Sequence, residues 1–354
     1  MPIGRCDTPE DNLFDQRTEI APVRIPRTSD PRKPSLACRC VSTATPSEME
    51  QAIRRQPAEL ERLLGDIAPV ERVAEQLRGR RVCLVGTGTS WHAANHAAWF
   101  LRTAETSAWP AQAIDAATYD LWRDADAVLI FSHRNSKRYT NEIRERAQAA
   151  GVPVAVIGAR GVGADIETVE PERSSAFTVS HLGALARAAQ LATLLGAELG
   201  DLAAVPGAVE SVVERDLGFA APQRLVEFTG VGPNQWTAAE GALKARETSY
   251  VATEGLSVEQ LLHGPAVALD ERDALVTLDG GGPGAERVQA VARAAAAAGV
   301  RVTAFEERNL GEPLSIFPLT AGVQLIALKL AQQLGVDPDC FRQPAKPSWQ
   351  SVGL

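Results

Sequence analysis

The residues best suited to chemistry lie in the C-terminal third of the 354-residue chain. A helix-like run at 240–250 carries Glu240, Lys244 and Glu247, and His263 follows it. Positions i, i+4 and i+7 share one face of an α-helix, so two carboxylates and an ammonium are predicted to project together. Such groups suit chemistry at a sugar carbonyl, where one group opens the ring and another moves a carbon-bound proton.

Each of these residues also has an ordinary structural explanation. The two glutamates could form a solvated helix face paired with Lys244 and Arg246. His263 could simply end a helix. Lys346, near the C-terminus, could be a surface lysine in a proline-rich tail, or an amine that forms an imine with a carbonyl.

Two loops in the first half of the chain have the composition of an anion site. The turn 86–90, Gly-Thr-Gly-Thr-Ser, separates a predicted strand from a helix, whose N-terminal N–H groups can bind phosphate. A dinucleotide fingerprint would need glycine at position 91, which is tryptophan. The loop 132–139 follows the next strand at the same sheet edge. The candidate substrate- and phosphate-binding residues are Thr89, Ser90, Ser132, His133, Arg134 and Lys137.

These loops also have a plainer interpretation. Either glycine turn alone could be a tight βα connection without a ligand. The cations of the second loop, Lys137 above all, could belong to a solvated basic surface.

Short apolar strands alternate with helices, as a parallel α/β sheet requires. Ala-Ala-Gly-Val recurs at 149–152 and 297–300, which indicates two copies of one α/β unit. We place the boundary near Pro206, with a helix at 184–202 joining the halves. Strands are predicted at 81–85, 125–131, 152–157, 225–228, 274–278 and 300–305.

The chain is expected to comprise four segments. Residues 1–45 lack an apolar period and are predicted to be a flexible tail. Ser47 should cap the first helix, with Glu50 three residues on. The segments after the tail are a first domain at 46–205, a second at 206–336, and a C-terminal tail at 337–354 that carries Lys346.

The composition of the chain limits the kinds of partner and cofactor that are expected. The net charge of -8 and pI near 5.3 argue against a nucleic-acid partner. The apolar runs are broken by charges before the roughly 18 residues that span a membrane, and no hydrophobic signal region begins the chain. A cytoplasmic protein is therefore expected. The five cysteines lack paired zinc spacing, so no metal or other cofactor is expected.

These motifs resemble those of the sugar isomerase (SIS) domain proteins, and specifically the isomerase half of the glutamine–fructose-6-phosphate aminotransferases. The resemblance covers roughly residues 46–354. It is carried by the segments 86–93, 240–250, 263–265 and 337–346 together with Ser132. It implies two tandem SIS domains, each a doubly wound, flavodoxin-like parallel sheet flanked by helices.

The resemblance also implies residue roles. Glu247 would be the base that moves a proton between C1 and C2, His263 would open the ring, and Lys346 would form an imine. Glu240 and Lys244 would support them. Thr89, Ser90 and Ser132 would bind the substrate phosphate. In the family the histidine loop comes from the neighbouring subunit, so a homodimer is expected.

The chain also departs from the family pattern. The phosphate loop usually reads Ser-Gln-Ser-Gly-Glu-Thr, whereas residues 132–137 read Ser-His-Arg-Asn-Ser-Lys. The segment 172–178 matches the family's serine-rich substrate loop only loosely. A glutaminase would need a cysteine directly after Met1, where Pro2 stands.

The expected function is therefore that of a sugar-phosphate aldose–ketose isomerase or an amino-sugar-phosphate deaminase. The alternatives are an ammonia-dependent synthase with a separate glutaminase partner, and a non-catalytic sugar-phosphate-binding regulator.

Overall fold

Two parallel β-sheets with helices around them make up most of the described chain, which confirms the predicted α/β class. The computed structural model describes residues 45–340 and 347–352. The predicted N-terminal tail up to residue 44, with Cys38 and Cys40, and the amine of Lys346 lie outside the described residues.

Three short helices precede the first sheet: α1 (Glu48–Arg54), α2 (Gln56–Leu64) and α3 (Ala68–Leu77). As predicted, Ser47 caps α1, and its hydroxyl oxygen accepts a hydrogen bond from the N–H of Glu50 at 3.1 Å. The N–H groups of Glu48 and Met49 donate to the two carboxylate oxygens of Asp339, each at 2.8 Å. Two side chains thus satisfy three first-turn donors of α1, and one of these side chains, that of Asp339, belongs to the C-terminal segment.

The first sheet contains β1 (Val82–Gly86), β2 (Ala108–Gln112), β3 (Ala127–Phe131), β4 (Val154–Gly158) and β5 (Ile166–Glu167). Its strands are parallel in the order β2-β1-β3-β4-β5. Strands β1 and β3 are buried throughout, because helices cover both faces of the sheet. The helices of this half are α4 (Thr89–Thr103), α5 (Ala113–Thr118), α6 (Arg138–Ala149) and α7 (Val179–Leu194).

The second sheet contains β6 (Leu225–Gly230), β7 (Ala252–Ser257), β8 (Ala274–Asp279) and β9 (Arg301–Glu306). Its order is β7-β6-β8-β9, again with the second strand outside the first. All pairs are parallel. The remaining helices are α8 (Val205–Val213), α9 (Asn234–Ser249), α10 (Val258–Leu262), α11 (Ala285–Ala297), α12 (Glu312–Leu334) and α13 (Pro347–Gln350).

The predicted joining helix at 184–202 is wrong in extent. Helix α7 starts earlier and ends at Leu194, after which Gly196 adopts a φ of 106° that a continuing helix does not allow. Helix α8 then starts at Val205, with Pro206 in its first turn, where proline is favoured. The position chosen as the domain boundary therefore lies within a helix, and the division at 205/206 stays a prediction.

Strands β2, β5 and β7 and helix α12 were not identified from the sequence. Strand β2 reads Ala-Trp-Pro-Ala-Gln, and its Pro110 is tolerated because the strand lies at the edge of the sheet. Strand β7 is also an edge strand and is mostly not buried, so it lacks a continuous apolar run.

Helix α12 has 23 residues and, by length and composition, is apolar enough to cross a membrane. The run without charges inside it, 313–328, is 16 residues long and is bounded by Glu312 and Lys329, so the expectation that charges interrupt the apolar runs before about 18 residues holds. In the structure 89% of its apolar window is buried inside the fold, where it packs against α9 and α8. Its apolar character is therefore that of a core helix.

Candidate active site

The glycine turn after β1 brings the start of α4 to the end of the sheet. A Cβ atom on Gly86 would lie 2.2 Å from the backbone oxygen of Ser90, so only glycine fits there. Gly88 adopts a φ of 58° directly before α4, a conformation that favours glycine. Helix α4 thus starts two residues earlier than predicted, at Thr89, and in its first turn the N–H groups of Ser90 and Trp91 donate to the carbonyl oxygens of Thr87 and Gly88 at 3.2 and 2.8 Å.

A cavity of about 380 Å³ opens at this turn, between the loop after β3 and the C-terminal half of α9. All six predicted substrate-binding residues line it. So do Lys244 and Glu247 from the second half of the chain. Loop hydroxyls, three cationic side chains and one carboxylate therefore face a common space, with Thr89, Ser90, Ser132, His133, Arg134 and Lys137 as the predicted residues on its wall.

On α9, Lys244 bridges two carboxylates. Its Nζ lies 2.6 Å from Oε2 of Glu247 and 3.8 Å from Oε1 of Glu240. Glu240 is fully buried and Lys244 is 2% exposed, so a solvated face is wrong for these two residues. The Glu247 side chain, 22% exposed, lies at the cavity surface.

The pKa values in this group follow from the pairing. Burial alone would raise the pKa of the Glu240 carboxyl, but the Lys244 ammonium and the hydrogen bond from His92 outweigh it and lower that pKa to about 2. Burial alone would lower the pKa of Lys244, but the carboxylates of Glu247 and Glu240 outweigh it and raise that pKa. Glu240 is thus ionised and Lys244 protonated at neutral pH.

Two residues of α4 hold the Glu240 carboxylate. The Thr89 hydroxyl donates to Oε1 at 3.1 Å, and Nδ1 of His92 lies 2.6 Å from Oε2. The Thr89 hydroxyl proton is therefore committed to Glu240. His92 was not identified from the sequence as a site residue.

The cationic loop after β3 is fastened to the segment around Glu172. The backbone N–H of Glu172 donates to Nε2 of His133 at 3.1 Å, and Nη2 of Arg134 donates to the Glu172 carbonyl at 2.8 Å. Both side chains lie on the Phe177 ring, at 4.6 and 5.8 Å from its centroid. Burial and the Arg134 charge lower the pKa of His133 to about 4, so its ring is neutral. His133 and Arg134, the bulky residues that depart from the family loop, thus connect two walls of the cavity. We call their contacts with Glu172 the clasp.

Glu172 is the centre of this clasp. It is 3% exposed, and its carboxylate accepts hydrogen bonds from the backbone N–H groups of Thr178 and Ser180 and from both hydroxyls. Burial raises the pKa of this carboxyl, and those hydrogen bonds oppose the rise. The carboxylate caps the N-terminus of α7 and so fixes the segment that carries the cavity residues Ser175 and Phe177.

The structure does not bring His263 to the cavity. His263 follows α10, is exposed, and its Nδ1 lies 2.8 Å from the carbonyl oxygen of Glu259. The neighbouring apolar side chains of Leu262 and Val267 are 38% and 91% exposed. A role for His263 at a cavity of this kind would require a second copy of the chain.

Asp339, which precedes Lys346 in the C-terminal segment, contacts the wall of the cavity. The carbonyl of Asp339 accepts a hydrogen bond from the N–H of Ser175, a cavity residue, at 2.8 Å. The Asp339 carboxylate caps α1 at the same time. The backbone at residue 339 is therefore anchored twice beside the candidate site.

The fold is that of the phosphosugar isomerases. The structure superposes with a TM-score of 0.70 on a tagatose-6-phosphate ketose/aldose isomerase from Escherichia coli, at 20% identity, covering 84% of this chain and 96% of that one. It superposes with a TM-score of 0.67 on a glucosamine-6-phosphate deaminase from Thermotoga maritima, at 18% identity, covering 84% and 98%.

In sequence, the chain is similar to the glutamine–fructose-6-phosphate aminotransferase [isomerizing] of Zymomonas mobilis. The identity is 27% over 315 residues, which are 75% of this chain and 51% of the relative. The chain spans about half the length of the curated relatives it matches. No protein-family model matches it. The resemblance to the SIS-domain proteins and to the isomerase part of the aminotransferases is thereby confirmed.

Proposed function

We propose that the protein is a phosphosugar isomerase-type enzyme that moves a proton between C1 and C2 of a phosphorylated sugar or amino sugar. The reaction is aldose–ketose isomerisation or, with an amino sugar, deamination. The observation that carries the proposal is the shared cavity: Glu247 and the Lys244 ammonium face the same space as the glycine turn and the loop after β3.

In this proposal the phosphate occupies the turn end of the cavity. The backbone N–H of Thr89 and the hydroxyls of Ser90 and Ser132 offer donors, and Arg134 and Lys137 offer positive charge. The sugar then extends towards α9, which brings C1 and C2 to Glu247. A single phosphate anchor and one base suffice for a 1,2-proton shift.

Glu247 is the proposed base. The Lys244 ammonium holds its Oε2 at 2.6 Å, while no described residue donates a hydrogen bond to Oε1. That oxygen is available to take the proton from one carbon and return it to the other. The charge of Lys244 also favours the negative charge that develops on the substrate oxygens during proton removal.

Two further residues belong to the proposal but not to the described cavity. His263 from a second copy would open the sugar ring, which explains its exposed position beside exposed apolar side chains. Lys346 would form an imine with the ketose carbonyl. A homodimer, a cytoplasmic location and two tandem SIS domains complete the proposal; the equivalent strand orders of the two sheets support the tandem arrangement.

The test is proton exchange in D₂O. Fructose 6-phosphate, glucose 6-phosphate, glucosamine 6-phosphate and tagatose 6-phosphate are incubated separately with the protein, and deuterium at C1 or C2 is followed by NMR. Incorporation into at least one supports the proposal. Binding of all four without incorporation would indicate a non-catalytic regulator. Ammonia release from glucosamine 6-phosphate identifies a deaminase, and ammonia uptake with fructose 6-phosphate identifies a synthase.

A further inference from the structure

Three buried histidines form a layer behind the Glu240 carboxylate. His92 and His96 come from α4 and His181 from α7, and they are 8%, 0% and 2% exposed. The rings of His96 and His181 lie 6.0 Å apart. None of the three lines the main cavity, and the proposed proton transfer does not use them. Their hydrogen bonds show how each differs from the others.

His96 is fixed as a neutral donor by a chain of hydrogen bonds. Ser315 donates to the Glu312 carbonyl, so its oxygen accepts from the amide nitrogen of Asn234 at 3.0 Å. The amide oxygen of Asn234 then accepts from the Thr237 hydroxyl at 3.1 Å, which leaves Thr237 to accept from Nε2 of His96 at 3.2 Å. Nδ1 of His96 has no partner among the described residues.

His181 makes no hydrogen bond to the described residues through either ring nitrogen. It borders a small cavity of about 20 Å³ that Ser90 and Ser132 also line. Burial lowers the pKa of His181 to about 4, and burial also lowers that of His96, so both rings are uncharged at neutral pH. Neither touches a charged side chain through a hydrogen bond.

His92 is different because it touches the charged group itself. Its Nδ1 lies 2.6 Å from Oε2 of Glu240, and an ionised carboxylate can only accept. Nδ1 of His92 must therefore carry a proton. This contact and the Thr89 hydroxyl occupy the two oxygens of Glu240 from the α4 side, while Lys244 approaches Oε1 from α9.

We propose that His92 is a positioning residue of the site: its Nδ1–H holds Glu240 in the orientation that fixes Thr89 on one side and Lys244 on the other. Lys244 in turn holds Glu247. The chain of contacts from His92 to Glu247 crosses from the first half of the molecule to the second. The kinetic consequence of this inference rests on the proposed function, whereas the contact between His92 and Glu240 does not.

The kinetic test compares three variants on the substrate found by deuterium exchange. His92→Asn places an amide N–H where Nδ1–H stood and should retain kcat within about threefold. His92→Leu removes the donor and should lower kcat on the order of 100-fold with KM changed little, because a small displacement of a catalytic group has effects of that size. His96→Asn, equally buried but not in contact with Glu240, should retain kcat. Equal losses in His92→Asn and His92→Leu would overturn the proposal.

A second measurement does not need turnover. The chain has five histidines, so ¹⁵N NMR of the histidine-labelled protein gives five imidazole spectra, which single substitutions assign. His92 should carry its proton on Nδ1, and His96 on Nε2. An unprotonated Nδ1 at His92 would overturn the inference whatever the enzyme does. A protonated Nδ1 in a protein that exchanges no sugar proton would preserve the contact and refute only the proposed function.

Discussion

Lys244 Nζ lies 2.6 Å from the Glu247 carboxylate while the lysine side chain is only 2% exposed. A buried ammonium of this kind is stable only because two carboxylates compensate for the lost hydration. Its position on α9 makes one residue responsible for two things: it neutralises the fully buried Glu240, and it orients the carboxylate that faces the cavity. Stability and the proposed catalysis can therefore be separated by choosing which carboxylate to change.

We expect Glu247→Gln to lower kcat by about 10²- to 10⁴-fold, the usual contribution of a positioned acid–base group. The amide keeps the shape and accepts the Lys244 hydrogen bond but cannot take up the proton, so substrate binding should change little. Deuterium exchange at C1 and C2 and a binding isotherm measure the two effects. The matched control is Arg246→Gln, an exposed neighbour on α9 that should behave as the parent protein. Undiminished exchange in Glu247→Gln would remove Glu247 from the mechanism.

We expect Lys244→Met to destabilise the fold by about 3–5 kcal/mol, because it leaves the buried Glu240 charge without its ammonium partner. The double variant Lys244→Met with Glu240→Gln should regain most of that loss, since the unpaired charge is then removed. Urea unfolding of the parent, the single and the double variant provides the comparison. A double variant no more stable than Lys244→Met would show that packing, and not charge, dominates at this position.

The sequence predicted the buried strands well because each is a continuous apolar run; β3, for example, reads Ala-Val-Leu-Ile-Phe. Edge strands such as β2 carry no such pattern, since most residues of β2 are only half-buried and Pro110 interrupts the run. Helix α12 was not predicted because it is buried on most sides, so its apolar residues follow no clear helical period in the sequence.

The candidate site shows a similar division. Glu240, Lys244 and Glu247 are predictable because helical spacing places them on one face. His92 is not, because its partner Glu240 lies 148 positions away and only the tertiary fold brings them together. The contacts of His133 and Arg134 with Glu172 were likewise invisible in the sequence, where these two residues indicated a phosphate contact.

We expect Asp339→Ala to lower the free energy of unfolding by about 0.5–2 kcal/mol, the usual cost of losing a helix cap. The carboxylate accepts from the N–H groups of Glu48 and Met49, so its removal leaves both first-turn donors of α1 without a protein partner. Asp339→Asn keeps one acceptor and should retain a large part of the stability. Thermal unfolding of the two variants measures this, and equal midpoints for Asp339→Ala and the parent protein would contradict the capping role.

The contribution of His133 and His181 to the stability of the fold should fall as the pH decreases from about 6.5 to about 4. His133 and His181 have pKa values lowered from 6.5 to about 4, mainly by burial, so in this interval the unfolded chain binds protons that the folded chain does not. Their contribution is fully present above pH 6.5 and is lost as the pH falls towards 4, with a slope of up to about 1.4 kcal/mol per pH unit for each histidine.

His181→Leu isolates one of these two contributions. The substitution replaces two ring nitrogens that lack protein partners by apolar atoms, so stability at pH 7 should be unchanged or higher, while the slope between pH 6.5 and 4 becomes smaller. Urea midpoints at pH 7.0, 6.0 and 5.0 for the parent and the variant measure both quantities. His263→Leu, at an exposed histidine, is the matched control and should leave the parent slope intact. An unchanged slope in His181→Leu would mean that the ring is protonated in the folded protein, because only then does its removal not alter proton uptake on unfolding.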